Sequence, residues 1–319
     1  RSIQFVKGDI GNAALMQRLF DEHKFSRVAH LAAESHVDRS ISDPESFLQT
    51  NVLGTFTLLK AALDFWRTAA MLDEARFLHV STDEVYGSLG QADPAFTELS
   101  PYRPNSPYAA SKAGSDHLVR AFVATYGMPA LITNCSNNYG PYQHTEKLIP
   151  LMIIHALEGK PLPVYGDGSN VRDWLHVSDH CDALINVIER GRTGETYNVG
   201  GGNERNNRDV VGLICDTIDA AFAAEARLAS RFPSCPAAAS TSCRTLITYV
   251  TNRPGHDHRY AIDARKLATE LGSRCRVGFE IGLQQTVQWY INHEPWWRDV
   301  TSGAYQAWID KNYGFRRAV

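Results

Sequence analysis

The chain has 319 residues, of which 44% are apolar and 21% charged, with a net charge of −3. That length suggests two domains of ordinary size, and the composition is that of a globular protein. The weak acidity excludes a global basic field for nucleic acid or anionic lipid, and no apolar run approaches the roughly 20 residues needed to span a bilayer.

The opening RSIQFVKGDI lacks the basic-then-apolar layout of a secretory signal. Cys135, Cys181, Cys215, Cys235, Cys243 and Cys275 are scattered and form no CxxC pair, so no metal site is expected. Cys135, Cys181 and Cys215 lie in apolar segments and are expected in the core, in a reducing, cytoplasmic setting.

In chain order, SIQFV reads as a short strand and KGDIGN as an acidic loop. Residues 12–23, with Leu15, Leu19 and Phe20, have helical spacing. RVAHLAA is a strand and ESHVDRSISDP a polar loop. A long helix is expected from about Glu45 to Arg67, with Phe47, Leu48, Val52, Phe56, Leu59 and Leu63 on its apolar faces. RFLHVS is a strand, about Pro107 to Tyr126 a helix, and PALITNCS a strand. This alternation predicts an α/β fold, a parallel doubly wound sheet with right-handed crossovers.

Beyond Tyr139 the pattern loosens. LIPLMIIHALEG and VSDHCDALINVIERG read as helices, a short strand lies in PLPVYGDGSNVRDWLHV, and ETYNV is a strand before a glycine-rich loop. Residues 222–245 are Ala/Ser-rich and are expected to form a surface excursion. From ITYVTNRPGHDHRYAID onward a smaller, less regular domain is expected, and no repeat period is visible.

Doubly wound sheets bind ligands at the carboxyl ends of their strands. The clusters GDI, AAESH, STDE and NNYGP follow successive strands and are expected to converge on one edge. A dinucleotide fold normally opens with strand, glycine-rich turn and helix. Here the chain begins near what looks like the third strand, so the first βαβ unit is expected to be missing. Gly200, Gly201 and Gly202 fall too late to replace it.

Within SPYAASKAG, Tyr108 and Lys112 are four residues apart and share a helical face. A lysine beside a phenol lowers the tyrosine pKa and yields a base for a sugar hydroxyl; an ordinary helical pair is the alternative. Thr82 would hold the substrate oxygen with this tyrosine. Once a hydride has left a sugar carbon, the adjacent C–H is acidic. Asp83 and Glu84 could then remove that proton and assist loss of the next hydroxyl as water, their pKa values pushed apart by like charge. The alternative is a solvated turn or a helix N-cap.

Asp9 and Ile10 could hold an adenine, and the LAAES backbone (31–35) could pass close to a pyrophosphate or ribose, or form a tight turn. Arg172 and Arg253, with Lys147 and His256, are candidates for a diphosphate, or else surface charges. HDH at 256–258 alternates along a strand and does not suggest a metal.

Together STDEVYG, YAASK, LAAESHVDRSI, NCSNNYGPY with EKLIP, DGSNVRDWLHV, YNVGG and RPGHDHRYAID resemble the dTDP-glucose 4,6-dehydratases, extended short-chain dehydrogenase/reductases. The resemblance runs from Gly8 to about Tyr313. It implies a Rossmann-like NAD domain at 1–143, N-terminally incomplete, with about 170–203 returning to it. A smaller substrate domain would take 144–169 and 204–319.

The resemblance implies a hydro-lyase with NAD as cofactor and dTDP-glucose as substrate, serving deoxysugar (rhamnose) biosynthesis. Thr82, Asp83, Glu84, Tyr108 and Lys112 would be catalytic. NAD would meet Asp9, Ile10, Leu31, Ala32, Ala33, Ser35, Thr50, Tyr108, Lys112 and Asn138. The nucleotide sugar would meet Ser35, Thr82, Asn137, Lys147, Leu148, Pro163, Tyr165, Arg172, Asn207, Arg253, His256 and Tyr313. A homodimer through the helices near 45–67 and 107–126 is implied, with neither nucleic acid nor membrane as partner. The alternatives are another nucleotide-sugar epimerase or decarboxylase of this fold, UDP in place of dTDP, and an inactive binding fragment without the glycine turn.

Overall fold

The computed structural model describes residues 3–302, so Tyr313 lies outside the described residues. The chain divides into two compact units. The first takes Arg1–Ser136, Cys181–Gly200 and Ile262–Arg274, and the second Asn137–His180, Gly201–Ala261 and Cys275–Val319.

The first unit is built on four parallel strands, β1 (Arg27–His30), β2 (Arg76–Thr82), β3 (Ala130–Cys135) and β4 (Thr196–Val199), hydrogen-bonded in that order. The parallel α/β layout is the one expected. β2 and β3 are buried along most of their length because helices cover both faces of such a sheet. The expected strand SIQFV is not seen among the described residues: residues 3–8 pair with no described strand, β1 is the edge of the described sheet, and Ile3 and Phe5 are 96% and 85% exposed. Apolar alternation has no effect without a neighbouring strand to supply the ladder.

Helix α1 (Ala13–His23) starts at Asn12, whose side chain accepts from the Leu15 N–H. Its Met16 and Phe20 pack on α2 (Thr55–Thr68), where Phe20 meets Trp66 edge-on at 6.1 Å. Helix α3 (Pro107–Tyr126) has Ser106 as its cap, Pro107 in the first turn and Gly127 in the left-handed conformation at its end. All three signals are in the sequence, and the bounds are those expected.

The expected helix 45–67 is not uniform. An α-turn at Pro44–Phe47 opens into a π-helical stretch, Leu48–Gly54, before α2 resumes. The wider turn shifts the phase of the apolar face, so Phe47 and Leu59 are buried while Leu48 and Phe56 are exposed. It also turns Asn51 into the interior. Part of the expected polar loop, Val37–Ser42, is a short helix capped by the His36 ring.

The second unit has a three-stranded sheet of Asn137–Tyr139, Val171–His176 and Glu204–Asn206, and a parallel pair, Leu162–Tyr165 with Ile247–Val250. Its core joins helices Leu148–Leu157, Asn207–Ala224 and Phe279–Asn292. Gly201 lets the backbone pass where any Cβ would lie 1.9 Å from the Trp174 carbonyl oxygen. Residues 222–245 are not a surface excursion: Leu228, Phe232, Cys235 and Cys243 are buried in this core. Four well-spaced anchors are enough to bury a segment of otherwise small residues. Cys181 is exposed rather than in the core.

Burial pushes His30 and His79 below the usual 6.5, and His180 down to about 4. Below pH 6.5 the unfolded chain therefore binds protons that the folded chain refuses, and stability falls as the pH falls. Urea midpoints should be nearly flat from about pH 8 to 7 and drop progressively below about pH 6.5. A midpoint that rises on acidification would contradict this account.

Candidate active site

The carboxyl end of β2 runs into a 3₁₀ turn, Asp83–Tyr86. Thr82 caps that turn: its Oγ1 accepts from the Glu84 N–H at 3.3 Å and lies 3.3 Å from Asp83 Oδ1. The Asn134 amide on β3 holds the Thr82 carbonyl at 3.1 Å. Thr82 and Asp83 are buried and Glu84 half-buried. The acids are thus neither a solvated turn nor the cap itself; they occupy its first two positions on a rigid strand end.

On α3, Tyr108 is buried and within hydrogen-bonding reach of the Thr82 hydroxyl, and Phe47 meets its ring edge-on at 6.3 Å. Burial pushes the phenol well above its ordinary pKa, and Glu84, Cys135 and Asp83 add to this while the Thr82 contact opposes it. The net direction is upward, opposite to that expected from the effect of Lys112 alone. Lys112 is buried one turn along, and its Nζ donates to the Val80 carbonyl at 2.9 Å. In this arrangement Tyr108 rests as a phenol beside the Thr82 hydroxyl and must lose its proton before it can act as a base.

Asn51, which sequence reasoning missed, ties the neighbouring loop to α3. Its side chain accepts from the Glu34 N–H at 2.9 Å and donates to the Glu34 carbonyl at 3.0 Å and Ser111 Oγ at 2.8 Å. Ser111 in turn donates to the Tyr108 carbonyl. The available signal was a polar residue at an inward helical position. Ser35 and Thr50, both half-buried, flank this knot. Beyond β1, Leu31 and Ala32 are exposed and Ala33 half-buried. The Asp9 carboxylate accepts from the Gly11 N–H at 2.7 Å, and Ile10 packs where a Cβ at Gly54 would stand.

The remaining residues belong to the second unit. Asn137 and Asn138 are half-buried on the strand 137–139. Lys147 and Leu148 are half-buried at the start of helix Leu148–Leu157. Pro163 and Tyr165 share one face of their strand, and the Tyr165 ring lies 5.7 Å from that of His256. His256 is linked through Asn252 to the Arg253 backbone. Arg172 is buried over the Tyr260 ring at 4.3 Å, its guanidinium donating to the Asp257 carbonyl at 3.0 Å. Asn207 opens helix Asn207–Ala224. The side-chain oxygens of Asn137 and Asn207 are buried without a hydrogen-bond partner among the described residues.

The profile of the GDP-mannose 4,6 dehydratase family matches residues 1–286. A dTDP-glucose 4,6-dehydratase of Xanthomonas campestris pv. campestris is 56% identical over 304 residues, covering 95% of this chain and 83% of that protein. The dTDP-glucose 4,6-dehydratase 1 of Escherichia coli is 50% identical over 323 residues, 98% of this chain and 85% of that one.

This chain belongs to the dTDP-glucose 4,6-dehydratase family.

Among solved structures, the dTDP-glucose 4,6-dehydratase DesIV of Streptomyces venezuelae, with NAD and TYD bound, is 45% identical. It superposes with a TM-score of 0.81 over 93% of this chain and 82% of its own. The Thermus thermophilus UDP-glucose 4-epimerase complexed with NAD, at 26% identity and a TM-score of 0.77 over 91% of this chain and 86% of its own, has the same fold. The residues present fit a nicotinamide dinucleotide as such a dehydratase requires. Leu31 and Ala32 leave open, apolar backbone at a strand end, and Lys112 is a buried amine one turn from a buried phenol.

Proposed function

We propose that this chain is an NAD-dependent hydro-lyase that converts dTDP-glucose to dTDP-4-keto-6-deoxy-glucose and water. The observation that supports it is the strand end at which Thr82, Asp83 and Glu84 stand on one turn with Tyr108 in reach of the Thr82 hydroxyl. Simple inversion at C4 has no use for two adjacent carboxyl groups there, which disfavours an epimerase.

NAD held here would supply the hydride chemistry, with removal at the sugar C4 and return at C6, and would end each cycle unchanged. Tyr108 takes the C4 hydroxyl proton, with Thr82 holding that oxygen between the two side chains. Lys112 supplies the positive charge that makes the phenolate attainable in a buried site. Glu84 removes the C5 proton, acidified by the C4 ketone, and Asp83 gives a proton to the C6 hydroxyl, which leaves as water. The cofactor would lie against Asp9, Ile10, Leu31, Ala32, Ala33, Ser35, Thr50 and Asn138. Arg172, Arg253, Lys147 and His256 would meet the diphosphate, with Asn137 and Asn207 supplying amide oxygens for donors on the sugar nucleotide.

The domain reading carries over as part of the proposal: cofactor at 1–143 with about 170–203, substrate at 144–169 and 204–319. We place the enzyme in the cytoplasm, in keeping with six free thiols and with no helix among the described residues long and apolar enough to cross a membrane.

Incubation with dTDP-glucose, followed by mass spectrometry, tests the function: loss of one water is expected. A product of unchanged mass would replace the dehydratase by an epimerase. dTDP-glucose should be turned over faster than UDP-glucose, and the reverse ranking would reassign the base.

The apolar side chains Leu48, Leu53 and Phe56 are exposed on the first unit, and an apolar patch of this kind marks an interface. We assign them to a homodimer. Light scattering should give a dimer for the unaltered chain and a monomer for Leu53→Glu. A monomeric parent would remove this assignment.

A further inference from the structure

Cys235 and Cys243 lie in the core of the second unit, 2% and 0% exposed, with their sulfurs 3.6 Å apart. Cys235 precedes the short 3₁₀ turn Pro236–Ala239, and Cys243 opens the turn Cys243–Leu246. Between them Ser240 takes the left-handed conformation, φ 57°, and reverses the chain so that the two side chains meet. The residues that cover them, 239–242, are exposed.

A buried cysteine is ordinarily a small apolar core residue. Cys215, in the same core, fits that description, and burial pushes its thiol up to about 12. The pair differs. Contact with Cys243 and with the Ala237 backbone holds the Cys235 thiol below its ordinary value in spite of burial. The two ends are also held differently. The Cys243 N–H and the Ser242 hydroxyl donate to the two oxygens of Asp219 on helix Asn207–Ala224, at 3.0 and 2.7 Å. One turn earlier, Asp216 takes the Arg244 guanidinium at 2.6 and 2.7 Å. Cys235 is tied through its backbone, its N–H donating to the Phe232 carbonyl at 3.1 Å. A disulfide spans about 2.05 Å, so sulfurs at 3.6 Å must close by roughly 1.5 Å, a shift that side-chain torsion at Cys235 supplies.

We propose that Cys235 and Cys243 form a redox modification site, a dithiol that a small-molecule disulfide of the glutathione type converts to an internal disulfide. The Cys235 thiolate attacks the reagent, and one glutathione leaves as its thiol. Cys243 then attacks the Cys235 sulfur of the mixed disulfide and expels the second glutathione. One S–S bond breaks and one forms, the two cysteine protons end on the two glutathione thiols, and two electrons pass from the pair to the reagent. In the reducing setting assigned above the pair rests as thiols, and it closes when oxidised glutathione accumulates. The bond braces the segment leading into strand Ile247–Val250, whose parallel partner Leu162–Tyr165 carries Pro163 and Tyr165. The site does not depend on the reaction proposed above.

Trypsin isolates the pair, because Arg231 and Arg244 bound a peptide, 232–244, that contains both cysteines and no other. The native protein is equilibrated in glutathione buffers, quenched with N-ethylmaleimide and digested. Peptide 232–244 should appear two hydrogens lighter and unalkylated, while the exposed Cys181 takes up glutathione and shows that the reagent is active. Each mixture is approached from both reduced and oxidised protein, so that slow access to a buried pair is not read as refusal.

The decisive comparison is with the same chain unfolded in urea, where the two cysteines are only neighbours in sequence. If the fold holds the sulfurs together, the value of [GSH]²/[GSSG] at half-oxidation should be at least about tenfold higher in the folded protein. By the same thermodynamic cycle, the oxidised protein should unfold about 3 °C or more above the reduced one. Cys235→Ala and Cys243→Ala should each abolish that difference and leave kcat unchanged. Should an alanine variant fail to fold, the comparison within the parent decides. A half-oxidation ratio equal in folded and unfolded chains, or lower in the folded one, overturns the proposal. So does a peptide 232–244 that stays doubly alkylated while Cys181 is fully modified.

Discussion

Tyr108→Phe is expected to lower kcat by about a thousandfold, within the range carried by a positioned acid–base group, and to leave KM for dTDP-glucose nearly unchanged. The phenol is buried, touches Thr82, and has its pKa raised first by burial and then by Glu84. A group held protonated this firmly can act as a base only when positive charge is brought to it, which is the work assigned to Lys112. The active form is the deprotonated one, so kcat of the parent should climb with pH on its acid side, and this climb should vanish in the phenylalanine variant. Removing one buried hydroxyl should change stability by no more than about 1 kcal/mol, so a urea midpoint measured alongside separates chemistry from folding. A variant that retains a tenth or more of the parent kcat would remove Tyr108 from the reaction.

Glu84→Gln should stop the reaction halfway. With no carboxylate at the C5 hydrogen, elimination should slow by about 10² to 10⁴, while oxidation at C4, which depends on Tyr108 and Thr82, continues. Two measurements read this. Mass spectrometry should find sugar nucleotide two hydrogens lighter than substrate, with its water retained. In deuterium oxide, the parent should place solvent deuterium at C5 of the product, and the variant should not. The half-buried position of Glu84 matters: the glutamine keeps the size and the turn, in which the Glu84 backbone N–H meets Thr82 Oγ1, so loss of structure would not mimic the result. Product formed at the parent rate would assign C5 deprotonation elsewhere.

Local signals carried much of the fold. Helix α3 was legible because its start and end are written in Ser106, Pro107 and Gly127, and the parallel strands because their apolar runs are bounded by polar clusters. The π-helical stretch was not, because its cause lies in what Asn51 bonds across space rather than in spacing along the chain. SIQFV failed for the opposite reason: its alternation is real, but a strand exists only against a neighbour. Segment 222–245 misled by composition, since Leu228 and Phe232 outweigh many alanines once a core accepts them. At the site, the sequence brought forward residues with obvious chemistry, Thr82 through Glu84 with Tyr108 and Lys112. It hid Asn51, whose importance comes from the groups it bonds across space.

The first unit closes its sheet with β4 and also includes residues 262–274, both encoded after the second unit has begun. During synthesis, β3 is therefore complete while one of its flanks is still bare, and a bare parallel flank is a template for the wrong partner. The ribosome must deliver some sixty further residues before β4 can cover it, so nascent chains pass through an adhesive stage that chaperones would have to shield. For the same reason, a gene cut after residue 136 would encode a product that aggregates rather than a free-standing cofactor module.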